Sequence, residues 1–459
     1  MFRLYRAASI PCDSCAQSDV CDLEGLVSGQ DDDGAGRFHF IRHGDQTSST
    51  LDWDKGPEIV RKAIGEALNA RNVAFLLGAG CSSLEVGGKQ RGIPTMAPLA
   101  AEFCKYPLEP KLNDLEWVKP PDWSLTKDDI EFLSDLGASL DKTEYSWNLE
   151  RLMELLFSMA FIYRRSGKTE HEASCKTVES LISKVKSFLW ERCTSGAFAN
   201  GDNTLLDVYE TFYRRLVLRD RSLPRPWVFT TNYDLFNERA MDRLGLPYAN
   251  GFSGVVERRF NPSTFRYALA EQMDVTSRKW SAVDGFVYLC KLHGSLSWSE
   301  DDHGLFPIRE LWPQDAPSKV MIYPTPAKQN SSLGSPYADL FREFQTRVVR
   351  EQSVLITAGY AFGDEHLNNI IYQALTIPTF RLIIFANPES SGEIGKLRAL
   401  GDQRIWIIGG DGPDKDNPAH YFNTIVTHFM PQRQSDRIDD AVRLVLETMG
   451  AKKDNADGQ

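Results

Sequence analysis

Five short segments of this chain carry residue types that bind or transform polar small molecules. Gly78-Ala79-Gly80-Cys81-Ser82 has glycines that would let backbone approach a phosphate, and a following helix N-terminus would add N–H donors. On its own it reads equally as a structural turn, because the full Gly-x-Gly-x-x-Gly fingerprint is absent. Thr230-Thr231-Asn232-Tyr233-Asp234 gathers hydroxyls, an amide and a carboxylate. Asn232 can donate and accept at once, which suits sugar hydroxyls or a positioned water. An isolated Asn in such a place more often serves an Asx-turn or a helix cap. Lys291-Leu292-His293-Gly294-Ser295 supplies a histidine, the side chain titrating nearest neutrality and so a candidate proton acceptor. His39, His43, His303 and His428 lack such a setting and read as structural. Gly359-Tyr360-Ala361-Phe362-Gly363-Asp364-Glu365-His366 is a fourth, glycine-bearing turn, with Asn368 and Asn369 beyond it, and Asn387-Pro388 is a fifth.

Each segment follows a short apolar run: Val73–Leu77, Val228–Thr230, Val287–Leu292, Val354–Ala358 and Leu382–Phe385, with Ile405–Ile408 a sixth. Such runs suit strands of a mostly parallel sheet covered on both faces, and open α/β sheets bind ligands at the carboxyl ends of their strands. The expected fold class is therefore α/β, a doubly wound, mostly parallel (Rossmann-like) sheet. Helical periodicity runs from Pro57 to Ala70, and between about 100 and 220 it dominates, over Asn148–Arg164, Cys175–Arg192 and Leu205–Leu218. That block reads as a large helical insertion in a domain spanning 51–430. Residues 1–50 read as an N-terminal extension, partly disordered, and 431–459 as a last helix begun by Ser435 and a mobile tail. The block's apolar face (Leu152, Met153, Leu156, Met159, Phe161 and Ile162) exceeds what one sheet face can bury, so a homo-oligomer is expected. The alternative is that it forms the insertion's own core.

The net charge of −11 argues against broad nucleic-acid binding, which needs a basic footprint. The cluster Arg214, Arg215, Arg219, Arg221 and Arg225 reads as a solvated helix end and linker. No run approaches the roughly 20 apolar residues that span a bilayer, no signal peptide is evident, and the eight cysteines are scattered as in a reduced cytoplasm. Cys12, Cys15 and Cys21, with His39 or His43, form a loosely spaced zinc alternative, and free thiols on an extension are the stronger reading.

The motif order Gly-Ala-Gly-x-Ser, Thr-x-Asn-x-Asp, His-Gly, glycine turn and Asn resembles the sirtuin NAD-binding core over roughly residues 57–410. The spellings Thr-Thr-Asn-Tyr-Asp, Lys-Leu-His-Gly-Ser and Gly-Tyr-x-Phe-Gly-Asp-Glu-His are similar to its prokaryotic branch of antiphage NADases. The resemblance implies NAD as substrate, with Asn232 and His293 catalytic. It implies that Gly78, Ala79, Gly80 and Ser82 cradle the phosphates and adjacent ribose. Asp234 would face the nicotinamide ribose beside Asn232, and Gly359 and Asn387 would line the adenosine side. It also implies a homo-oligomer paired with a HerA-type hexameric ATPase, touching nucleic acid only through that partner. Sirtuin deacylases carry a four-cysteine zinc ribbon module after the histidine, and no cysteine follows Cys290 here, so no metal is expected. Protein deacylation or ADP-ribosyl transfer is the second expectation, and a non-catalytic NAD or ADP-ribose sensing module the third.

Overall fold

The structure is a computed structural model that describes residues 36–42, 49–105, 121–166, 168, 170–220, 222–274, 276, 279–299, 308–311, 336–414 and 416–432, with the backbone of 111–113 and 116–118. All six apolar runs are strands of one nine-stranded sheet. In chain order its strands are β1 (Phe38–Ile41), β2 (Ser49–Leu51), β3 (Asn72–Leu77), β4 (Trp227–Thr230), β5 (Tyr248–Ala249), β6 (Val287–Lys291), β7 (Ser353–Ala358), β8 (Arg381–Phe385) and β9 (Ile405–Gly410). They lie in the order β2-β1-β9-β8-β7-β3-β4-β6-β5. From β9 to β5 every pairing is parallel; β1 and β2 add an antiparallel edge. That edge falls where the sequence suggests only an extension. Four residues in polar surroundings give little periodicity, yet Phe38 and Phe40 are buried against the neighbouring strand β9.

The chain leaves β3 for β4 on one side and resumes at β7 on the other, so β3 and β7 flank the switch point of the sheet, where a crevice opens. Register brings the strand ends level. Leu77 pairs with both Ala358 and Thr230, and Thr230 pairs with Lys291. The turns starting at Gly78, Thr231, Leu292 and Gly359 therefore emerge side by side.

Both faces of the sheet are covered. Helices α1 (Gly56–Leu68), α6 (Thr204–Leu216) and α7 (Phe236–Leu244) pack on one, and α8 (Tyr337–Val348), α9 (Glu365–Leu375) and α10 (Gly392–Ala399) on the other. A third core belongs to the insertion, built by α2 (Met96–Cys104), α3 (Lys127–Asp135), α4 (Leu149–Ser166) and α5 (Glu170–Thr194). Leu152, Met153 and Leu156 are buried in it and Met159 packs against it. Only Phe161 and Ile162 of the apolar face remain exposed, at 62% and 53%. Most of the expected apolar surplus is thus the module's own core. Helix α6 packs on the sheet, so the separately packed module ends with α5.

Two arginines of the cluster, Arg215 and Arg219, point inward. Arg215 is buried and donates to the carbonyls of Val426 and Thr427, while Arg219 donates to those of Ala70 and Arg71. Arg214 pairs with Glu210 at 3.1 Å and Arg225 with Asp284 at 3.5 Å. Burial pulls the Arg219 pKa down to about 10. Arg221, Cys12, Cys15, Cys21, His43 and the helix expected after Ser435 lie outside the described residues. His39 sits on β1 opposite Gly409. Among the described residues no group of three or more His, Cys, Asp or Glu could hold a metal ion, and no helix is long and apolar enough to cross a membrane.

Candidate functional site

The two glycine turns interlock. The N–H of Gly78 bonds Ala358 O at 2.9 Å and that of Gly80 bonds Gly359 O at 3.0 Å. A Cβ on Gly78 would sit 2.4 Å from Gly359 O, and one on Gly359 only 2.5 Å from Cys81 N. Gly359 also has φ +59°, a region that L side chains rarely adopt. These glycines let two chain reversals touch backbone to backbone at the switch point. The expected helix N-terminus after Gly80 does not form. A single 3-10 turn, Ala79–Cys81, takes its place, and the N–H groups of Cys81 and Ser82 are used by Gly78 O and Ala79 O. The backbone cradle expected for phosphate is largely spent inside the protein.

Asn232 is held from three sides. Its backbone N–H donates to Thr230 Oγ1 at 3.0 Å, and its Nδ2 donates to Gly78 O at 2.9 Å and Ser82 Oγ at 2.8 Å. A carbonyl can only accept, so the NH₂ must face Gly78, leaving Oδ1 as the group available to a ligand. Ser82 Oγ donates onward to Asp234 Oδ2 at 2.6 Å, and Asp234 Oδ1 accepts the Phe236 N–H at 3.1 Å. Asp234 therefore stands behind Ser82, 4% exposed, with both oxygens engaged. It orients Asn232 through Ser82 more directly than it faces a sugar.

Beneath this loop lies a buried charge. Lys291, 2% exposed at the end of β6, donates Nζ to the carbonyls of Tyr233, at 3.1 Å, and Asp234. Its Nζ also lies 3.1 Å from Glu238 Oε1 on α7. Burial pushes the Glu238 carboxyl up, and the Lys291 cation opposes that rise. A buried cation needs several acceptors to offset its lost hydration, and two of those used here are the backbone on either side of the Tyr233–Asp234 peptide.

His293 follows on the same strand end. Its Nε2 lies 3.0 Å from Asp364 Oδ2, with both side chains largely buried. Asp364 Oδ1 caps α9 by accepting the N–H groups of His366 and Leu367 at 2.9 and 3.2 Å. The carboxylate is thereby locked, and in neutral histidine it selects the tautomer with the proton on Nε2. Nδ1, without a partner among the described residues, keeps the lone pair.

These groups border a cavity of about 320 Å³. Ser82, Asn232, Asp234, His293, Gly359, Tyr360 and Asp364 form the wall at the sheet edge; Met96, Leu99, Leu149, Glu150 and Met153 of the helical module face them. Ala79 contributes to the rim, while Gly78 and Gly80 support it from behind. Three carboxylates and no lysine or arginine border it among the described residues, which suits a cationic ligand. Cys193 also borders it, but burial above all, with Asp234 adding, pushes its thiol up to about 12, so it is no nucleophile near neutrality. Asn387 does not line this cavity. It follows β8, three strands from β4 and so roughly 14 Å away, and its Oδ1 accepts the Glu389 N–H at 3.0 Å, an Asx-turn.

Sequence reasoning singled out Asn232 and His293 but missed their supports, Lys291, Glu238 and Tyr209, whose hydroxyl lies 3.2 Å from Ser82 Oγ, and gave Asp364 no part. Lys291 and Asp364 lie inside the quoted motifs, and an acid heading a helix was the available signal for Asp364. The match to known families follows this geometry. The family described as SIR2-like domain matches residues 226–392, a segment holding Asn232, Lys291, His293 and Asp364 but not the Gly78–Ser82 turn or the helical module. No curated protein matches the chain. The matched segment is thus similar to a SIR2-like domain, and it sits on a Rossmann-like α/β sheet. SIR2-like proteins bind and use NAD.

Proposed function

We propose that this protein hydrolyses NAD at the nicotinamide–ribose bond, giving nicotinamide and ADP-ribose, and that NAD depletion in antiphage defence is its use. The observation that carries the reading is the Asp364-oriented His293 sharing one acid-lined cavity with the open Oδ1 of Asn232. Cleavage passes through an oxocarbenium-like state, as in glycoside hydrolysis. The C1′–N electron pair leaves with nicotinamide, which becomes neutral. Water attacks C1′ and gives its proton to His293 Nδ1, while Asp364 stabilises the imidazolium that forms. Asn232 Oδ1 accepts from a ribose hydroxyl or from that water. The apolar module wall excludes bulk solvent, so these contacts act at reduced dielectric.

The test is product analysis. Full-length protein with NAD should release nicotinamide and free ADP-ribose; acyl-ADP-ribose would instead mark a deacylase, and unchanged NAD a sensor. His293→Ala should lower kcat by about 10²–10⁴-fold, the usual worth of a general base. Near-normal turnover in that variant would remove His293 from the mechanism.

A further inference from the structure

Two of the three carboxylates at the cavity are already committed. Asp234 serves Ser82 and the Phe236 N–H, and Asp364 serves His293 and the start of α9. Glu150 differs. It stands in the first turn of α4, on the module wall, half-buried, and among the described residues its carboxylate has neither a hydrogen bond nor an ion pair. It shares the cavity lining with Tyr360. Burial chiefly, and then the acids around it with Glu150 among them, pushes the Tyr360 hydroxyl up. An acid in a first helical turn favours the helix dipole, but a solvent-facing position would serve that purpose as well. Instead the chain leaves a carboxylate without a counter-ion among the described residues on the cavity wall, where a bound cation would pair with it.

We propose that Glu150 is a catalytic residue contributed by the helical module, its ionised carboxylate facing the ribose and stabilising positive charge at C1′ as nicotinamide departs. The inference rests on the NAD-hydrolase reading. Glu150 neither gives nor takes a proton: the bond pair goes to nicotinamide, water oxygen bonds C1′, and the water proton goes to His293. The module thereby completes the site, supplying the anion that Asp234, turned toward Ser82, does not.

Glu150→Gln in the full chain keeps size and helical preference and removes the charge. Its kcat for NAD should fall by about 10²–10³-fold, the scale of one preorganised electrostatic contact, with KM raised by no more than about tenfold and the thermal midpoint nearly unchanged. Glu150→Asp should recover part of the loss. A second readout does not depend on turnover. Calorimetric titration should show wild type preferring cationic nicotinamide riboside over its neutral dihydro form, and Glu150→Gln should cut that preference by roughly tenfold, as for one partly screened charge. A Gln variant with wild-type kcat and wild-type preference overturns the proposal and leaves NAD hydrolysis standing. A wild-type chain that releases no nicotinamide defeats the hydrolase reading and with it the catalytic role of Glu150, whatever the titration shows.

Discussion

Asp364 holds two offices with its two oxygens, one toward His293 Nε2 and one toward the N–H groups that open α9. Asparagine caps helices about as well as aspartate, whereas alanine costs on the order of 1 kcal/mol. The substitutions therefore separate the roles. Asp364→Asn should unfold near the wild-type temperature yet turn over NAD about 10- to 100-fold more slowly, since a neutral amide cannot stabilise the imidazolium. Asp364→Ala should lose both cap and activity. Steady-state kinetics beside thermal unfolding of each variant decides it; an Asn variant at full kcat would make Asp364 a cap and nothing more.

At the scale of elements, the loop after β4 is fastened to β6 and α7 by Lys291 and Glu238. Removing one member of a buried pair strands the other, at about 3–5 kcal/mol, while replacing both with apolar residues is often close to neutral. Lys291→Met should thus destabilise strongly, and Lys291→Met with Glu238→Leu should regain much of that stability. Activity should not return with it, because the carbonyls of Tyr233 and Asp234 lose their anchor and Asn232 its setting. Denaturant titration and NAD turnover of the single and double variants provide the check. A double variant with restored turnover would show that Lys291 matters only for folding.

For the whole molecule, the apolar face that motivates self-association is mostly spent inside the helical module. Phe161 and Ile162 remain outside, as do Val255, Val256, Met273 and Trp280 elsewhere on the surface. We propose a homo-oligomer working with a HerA-type ATPase, supported by the motif resemblance and by the restraint that the proposed NAD-depleting activity would need. Light scattering at micromolar concentration should give a multiple of the chain mass, and a co-expressed ATPase of that type should raise or restrain NAD cleavage. A monomer whose turnover the ATPase leaves unaltered would sink both parts.

Local pattern was sufficient for the six apolar strands and for the placing of polar turns at their carboxyl ends, because a strand buried on both faces is apolar throughout and its ending is marked by glycine or a polar cluster. It was sufficient too for Asn232 and His293, which stand directly at such ends. Register and topology lay beyond it. Whether Gly78 and Gly359 serve a ligand or each other depends on β3 and β7 being neighbours, a pairing between residues far apart in the chain. The same is true of β1, whose burial against β9 no four-residue window discloses, and of Asn387, which strand order sets three strands from β4 and outside the lining of this cavity. A lysine reads as solvent-facing until the fold surrounds it with two carbonyls and a carboxylate, and Glu150 becomes a cavity group only when the module closes over the sheet edge. Sequence determines which side chains stand at the end of each strand; only the packing of strands and helices decides which of those ends meet.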